Sequence, residues 1–115
     1  MIGWLLLAGA IALVACMTVF WDEVANWLNN NAANAVESAF GYDARQFMQR
    51  AVSTVTMVRD NLINRTIVYT KKNKLDDVIQ KITLKSVAPT YTQNRDVIHE
   101  FEKQNEQVQT FEYKG

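Results

Sequence analysis

Apolar and polar residues change their spacing twice along this chain, and each change marks an expected element. From Ile2 to Trp21 no side chain is charged, and Thr18 is the only clearly polar one. A bilayer core about 30 Å thick is crossed by about 20 apolar residues in a helix. The run therefore predicts a membrane-spanning helix over 1–21. Trp4 near one end, with Phe20 and Trp21 at the other, stand where aromatic rings favour the headgroup level. Ala8, Ala12 and Cys16 recur every four residues, a small-residue face through which helices approach closely in lipid. Three rival readings compete with the span. A cleaved secretory signal needs a positive n-region, yet no Lys or Arg precedes Arg45. Leu13-Val14-Ala15-Cys16 resembles a bacterial lipoprotein box, whose cysteine is acylated after cleavage; the absent basic n-region and the apolar continuation Met17 to Trp21 oppose it. The third rival is a helix buried within a folded protein.

From Asp22 the pattern becomes amphipathic. Val24, Trp27, Leu28, Ala32, Ala35, Val36, Ala39 and Phe40 fall at three- and four-residue steps, with Asn26, Asn30, Asn34 and Glu37 largely opposite. That is one face of a helix. Asn29-Asn30-Asn31 lowers helix propensity and allows a kink, and Gly41 is a natural stop. Asp43 can cap a second helix, with Gln46 in the capping-box position. Its stripe is Ala44, Phe47, Met48, Ala51, Val52, Val55, Val58 and Leu62. A link as short as 41–43 favours antiparallel neighbours, which predicts a helical hairpin over 22–64. Trp27, Leu28, Val36, Phe40, Phe47, Met48, Val52 and Val55 are its expected assembly face. An interfacial helix usually carries Lys or Arg on its polar side; the first stripe carries Asp22, Glu23 and Glu37 instead, which favours protein contact over lipid.

The residue types shift again over 65–115. Thr66 to Lys72 is β-branched and aromatic, which suits a strand, and Asn73 to Asp77 reads as a turn. Ile79 to Val87 alternates, with Ile82 and Leu84 on one face and Lys81, Thr83 and Lys85 on the other, which completes a hairpin. A helix through Leu75, Val78, Ile79 and Ile82 is its rival. Asn94 can cap a short helix carrying Val97, Ile98 and Phe101, and Val108 to Tyr113 returns to strand-forming residues. The expected core is Ile67, Tyr69, Ile82, Leu84, Ile98, Phe101 and Phe111. The fold class so read is a membrane-anchored α+β protein: an N-terminal transmembrane helix, an amphipathic helical hairpin, and a small module with an antiparallel β-hairpin or three strands and one short helix.

Composition narrows the function more than the fold. With 115 residues and 12 basic against 12 acidic side chains, the net charge is zero, so no global attraction to nucleic acid exists. The charge is uneven, however. Lys71, Lys72, Lys74, Lys81 and Lys85 form an expected basic surface, whereas Asp96, Glu100, Glu102, Glu106 and Glu112 make the tail acidic. Ordinary solvated faces explain this most simply. Contact of the basic strands with anionic headgroups, or of one copy's basic face with a neighbour's acidic tail, are sharper readings. Nucleic-acid binding wants basic residues interleaved with aromatic platforms, and only Tyr69 stands nearby.

Candidate chemistry is sparse. One cysteine excludes an intrachain disulfide framework. A zinc site needs about four Cys, His or carboxylate ligands, and His99 is the only histidine. No Ser or Cys has a base at recognisable spacing, and no Gly-rich phosphate loop occurs. The carboxylate pairs Asp76-Asp77 and Glu100/Glu102 read as solvated charges. Asn64-Arg65-Thr66 matches a glycosylation sequon, a triplet that arises often by chance. No catalytic, cofactor-binding or metal-binding residue is assigned.

The expectation is a single-pass membrane protein that is not an enzyme. It acts as a structural or adaptor subunit, self-associating or binding a protein partner through the hairpin. Its expected contacts are lipid and protein, with no nucleic acid and no evident small-molecule substrate. Arg45, Arg50, Arg59 and Arg65 all follow the span, which places the C-terminal part in the cytoplasm by the positive-inside bias. Two alternatives remain open: an oligomeric pore or membrane-perturbing effector built through Ala8, Ala12 and Cys16, and an envelope protein lipid-anchored at Cys16.

Overall fold

A computed structural model describes residues 4–6, 15–75 and 77–113. A three-residue strand β1 (Trp4–Leu6) precedes a long helix α1 (Ala15–Phe40). A 3-10 turn over Tyr42–Phe47 leads into strands β2 (Arg50–Val58), β3 (Asn61–Thr70) and β4 (Gln80–Pro89). A second 3-10 turn, Thr90–Thr92, is followed by helix α2 (Arg95–Lys103) and strand β5 (Glu106–Tyr113). The strands form one antiparallel sheet in the order β1-β5-β2-β3-β4.

α1 exists as a straight reading of its apolar spacing. Met17, Phe20, Trp21, Val24, Ala25, Leu28, Ala32 and Val36 are buried, and Asp22, Glu23, Asn26, Asn29, Asn30, Asn31 and Asn34 are exposed or opposite. The asparagine run does not break the helix; the Asn31 amide donates to the Trp27 carbonyl one turn back at 2.7 Å. Gly41 ends it at φ +100, with its N–H bonded to the Glu37 carbonyl at 2.9 Å.

The membrane-anchored fold class is corrected on two counts. First, no helix among the described residues is long and apolar enough to cross a membrane. The stretch Met17 to Trp21, the end of the expected span, belongs to the same stripe that continues through Leu28 to Val36, and that stripe faces the sheet. Phe20 and Trp21 meet edge to face at 5.1 Å, Phe20 meets Phe101 of α2 at 5.5 Å, and Trp21 leans on Phe111 of β5 at 6.2 Å. Aromatic pairs at these distances are worth about 0.5–1.5 kcal/mol beyond the area they bury. For Met17, Phe20 and Trp21 the apolar surroundings that a bilayer was to supply are protein, and residues 7–14 of the expected span lie outside the described residues.

Second, the helical hairpin over 22–64 does not form. Only its first arm is helical. Arg50–Val58 is a strand, paired residue for residue with Asn61–Thr70 through the two-residue turn Arg59-Asp60. Val52, Thr54, Val55, Thr56 and Val58 are β-branched, and such residues lose less freedom on a pleated surface than in a helix. The helix expected as a rival over Leu75 to Ile82 does not form either; Leu75, Val78 and Ile79 are exposed and β4 begins at Gln80.

Elsewhere the local signals correspond to real elements. β3 overlaps the strand expected over Thr66 to Lys72 but starts at Asn61 and ends at Thr70, and it pairs with β4 from Asn61↔Pro89 to Thr70↔Gln80. The Asn94 side chain accepts the Asp96 N–H at 2.8 Å and caps α2. β5 does not extend the hairpin edge. It crosses back to pair with β2, Ala51↔Phe111 and Ser53↔Gln109, so that β2 lies inside the sheet.

Candidate functional site

Because side chains alternate along a strand, register alone divides the sheet into two faces. The inner face, under the helices, carries Ala51, Ser53 and Val55 on β2, Leu62, Asn64, Thr66 and Val68 on β3, and Ile82, Leu84, Ser86 and Ala88 on β4. Burial falls off across it. The inner residues of β3 are all buried, whereas those of β4 are all only half-buried. α1 thus covers β4 incompletely, and the space left over is a cleft of about 240 Å³. Phe20, Val24 and Trp27 of α1 form one wall, Leu62 and Asn64 of β3 the floor, and Ser86 and Ala88 of β4 the other wall, with Glu23 and Gln93 as further polar lining.

A chain of polar side chains runs from the buried centre of the sheet to that floor. Ser53 and Thr66 hydroxyls lie 2.6 Å apart, Thr66 donates to the Asn64 amide oxygen at 2.9 Å, and the Asn64 amide nitrogen donates to the Ser86 hydroxyl oxygen at 3.2 Å. A hydroxyl has one hydrogen. Thr66 spends it on Asn64, so Ser53 is the donor to Thr66. Ser86 accepts from Asn64 and keeps its own hydrogen to offer. The chain therefore has a direction, and it ends as a hydrogen-bond donor on the wall of the cleft. Its buried members are paired, as buried polar groups must be if they are not to cost about 1–3 kcal/mol each.

The same strand is the edge of the sheet. β4 pairs with β3 on one side, and no strand among the described residues pairs with its other side. An open edge of ten residues is a template for another extended chain.

The residues singled out from the sequence are dispersed. Ala8 and Ala12 lie outside the described residues. Trp4 belongs to β1. Cys16 is half-buried in α1, beside a recess of about 160 Å³ shared with Val97 of α2. Leu28, Val36, Met48 and Val55 are buried in the core, and Trp27, Phe40, Phe47 and Val52 are half-buried. Of these eight, Trp27 and Val55 line the cleft. Lys72 and Lys74 are exposed in the β3–β4 connection, and Lys71 stands 4.0 Å from Asp77. Lys81 and Lys85 are exposed on the outer face of β4. Sequence reasoning missed Ser53, Asn64, Thr66 and Ser86. The available signal was Leu62-x-Asn64-x-Thr66-x-Val68, an inner strand face with two polar members.

His99 is exposed, with Nδ1 3.5 Å from a Glu102 carboxylate oxygen. Among the described residues no three His, Cys, Asp or Glu side chains gather as metal ligands. No protein-family model matches the chain, and no curated protein and no solved structure matches it.

Proposed function

We propose that this chain is a non-enzymatic adaptor that holds an extended segment of a protein partner along β4, with one apolar side chain of that segment in the α1–β4 cleft. The observation that carries this reading is that a strand edge left unpaired among the described residues and an apolar cleft belong to the same strand. A segment added to the edge gains backbone hydrogen bonds irrespective of its sequence, and pockets for alternate side chains give specificity. On the inner side, such a segment continues the row of Ile82, Leu84, Ser86 and Ala88 and brings a side chain against Trp27. The Ser86 hydroxyl supplies a donor for a carbonyl of the incoming chain. A small-molecule site is the poorer fit, because those usually enclose roughly 300–1,000 Å³ and this cleft holds about 240 Å³.

The test is selection of displayed random peptides on the intact protein, followed by hydrogen exchange and calorimetry on the enriched sequences. Enriched peptides should share a large apolar residue and slow exchange of β4 amides. Trp27→Ala should weaken them about tenfold or more, and Ala88→Leu, which fills the cleft, should weaken them as well. Enrichment of nothing, or protection that maps away from β4, would overturn the reading.

A further inference from the structure

Among the described residues no second layer covers the opposite face of the sheet. Both helices pack on the inner face, where Phe20 meets Phe101, and no helix of the described residues lies against the outer one. There the register lays out four rows. Glu112, Arg50, Tyr69 and Lys81 form the first, reading from β5 through β2 and β3 to β4; Thr110, Val52, Ile67 and Thr83 form the second. Val108, Thr54, Arg65 and Lys85 form the third, and Glu106, Thr56, Ile63 and Val87 the fourth. Val52, Thr54 and Thr56 on β2 and Ile63, Ile67 and Tyr69 on β3 make the centre largely β-branched and aromatic, and on the flanking strands Val87 and Val108 are more than half exposed at 53% and 56%. Carboxylates stand on β5, and Arg65, Lys81 and Lys85 on β3 and β4; Arg50 on β2 lies between, beside Glu112 in the register and with its guanidinium 4.8 Å from the Tyr69 ring.

We infer that this face is a two-fold interface with a second copy of the chain, the two sheets packed face to face with their strands aligned. Two kinds of in-plane two-fold axis can bring a sheet onto itself. An axis perpendicular to the strands, at the centre of the four rows, sets β5 on β5 and β4 on β4, which opposes Glu112 to Glu106 and gathers the lysines of both copies on one side, and like charges so placed are unfavourable. An axis parallel to the strands, between β2 and β3, sets β4 of one copy over β5 of the other. Lys81 then faces Glu112 of the second copy, Thr83 faces its Thr110, and Val52 faces its Ile67. Isologous contacts of this sort close after two copies, and aligned sheet packing is a common geometry. Four strands at about 4.8 Å spacing and about eight residues at about 3.4 Å give a projected area on the order of 500 Å² per copy. The pair reaches about 1,000 Å², the lower end for a specific interface, and its charge pairs make the association sensitive to salt.

This inference goes beyond the adaptor reading and does not depend on it, since it uses the other face. Together they describe a bivalent adaptor whose two clefts point away from each other.

Sedimentation velocity on the full chain tests it. Dimer is expected at tens of micromolar protein, with weaker association as salt is raised. Lys81→Glu and Glu112→Lys should each weaken the dimer about tenfold, and the double variant should recover most of the loss. Within one copy the two residues stand on strands separated by β2 and β3, about 14 Å at the usual strand spacing, so recovery must act between copies. Thr83→Arg, at an exposed position, should also dissociate the dimer while leaving the thermal melt intact. A monomer at all concentrations overturns the inference. So does a dimer indifferent to Thr83→Arg, or single charge reversals that the double variant fails to rescue.

Discussion

Asn64 and Ser86 face each other across β3 and β4, and the amide nitrogen of the first donates to the hydroxyl of the second at 3.2 Å. This contact joins the buried half of the inner face to its half-buried margin. On one side of it Thr66 and Ser53 are fully enclosed; on the other the cleft begins. It also fixes the direction of the polar chain, and so decides that the cleft is offered a donor.

The two ends of that chain should respond unequally to truncation. Asn64→Ala removes the acceptor of a fully buried Thr66 hydroxyl and should cost about 1–3 kcal/mol. Ser86→Ala leaves the Asn64 amide facing a cleft that water can enter, and should cost about 0.5–1 kcal/mol. Urea denaturation of the two variants checks the order; equal losses would mean that the margin is as closed as the centre.

Leu28 and Trp21 separate a helix packed on a sheet from one bathed in lipid. Leu28 is 0% and Trp21 1% exposed. Leu28→Ala should destabilise by about 2–5 kcal/mol and Trp21→Ala by about 3–5 kcal/mol. For a chain of this size either loss lowers the thermal midpoint by roughly 6 °C or more, readable by circular dichroism. A lipid-facing residue would give almost no change in the melt of the C-terminal sheet.

Why those two residues were legible as apolar but not as core follows from what the sequence encodes locally. A charge-free run has the same composition whether hydrocarbon or protein surrounds it. The deciding feature was continuity: Met17, Phe20, Trp21, Val24 and Leu28 form one stripe across Asp22, and a spanning helix has no reason to share its face with the amphipathic segment after it. β2 was misread for a different reason. Ala51 and Val55 are four apart, a spacing that keeps two residues on one face of a helix and also on one face of a strand. β-branching at Val52, Thr54 and Thr56 favours the strand. The Asn94 cap and the β3–β4 hairpin rest on short-range signals and were accessible. The cleft was not, because pairing Asn64 with Ser86 depends on register between strands, and on α1 stopping short of β4.

Arg59 opens the β2–β3 turn at φ +54. A side chain with a Cβ pays about 1–2 kcal/mol for that left-handed conformation, whereas glycine pays nothing there but loses more backbone entropy on folding, roughly 0.5–1 kcal/mol. Arg59→Gly should therefore raise stability by about 0.5–1 kcal/mol, seen as a thermal midpoint a few degrees higher. Arg59 is exposed, so no packing is lost; a lower midpoint would contradict the turn geometry.

Gly41 poses the reverse case. Its backbone sits at φ +100 and ψ 165, outside the left-handed helical region that asparagine tolerates and inside one open essentially to glycine alone. A Cβ built there meets nothing within 4 Å, so the cost of a substitution is conformational and not steric crowding by neighbours. Gly41→Ala should destabilise by about 1–3 kcal/mol, and Gly41→Asn should do no better, which distinguishes this link from an ordinary helix C-cap. The consequence reaches the sheet, because the link positions the turn at Ala44, whose carbonyl accepts the Thr70 hydroxyl at the end of β3 at 2.8 Å. Both variants should therefore speed hydrogen exchange at the Gln49–Tyr69 backbone bond, 2.9 Å long in the folded chain, more than in the Arg59-Asp60 turn at the other end of the same hairpin. Uniform acceleration across the hairpin would show that the link carries no local role and that the sheet opens only as a whole.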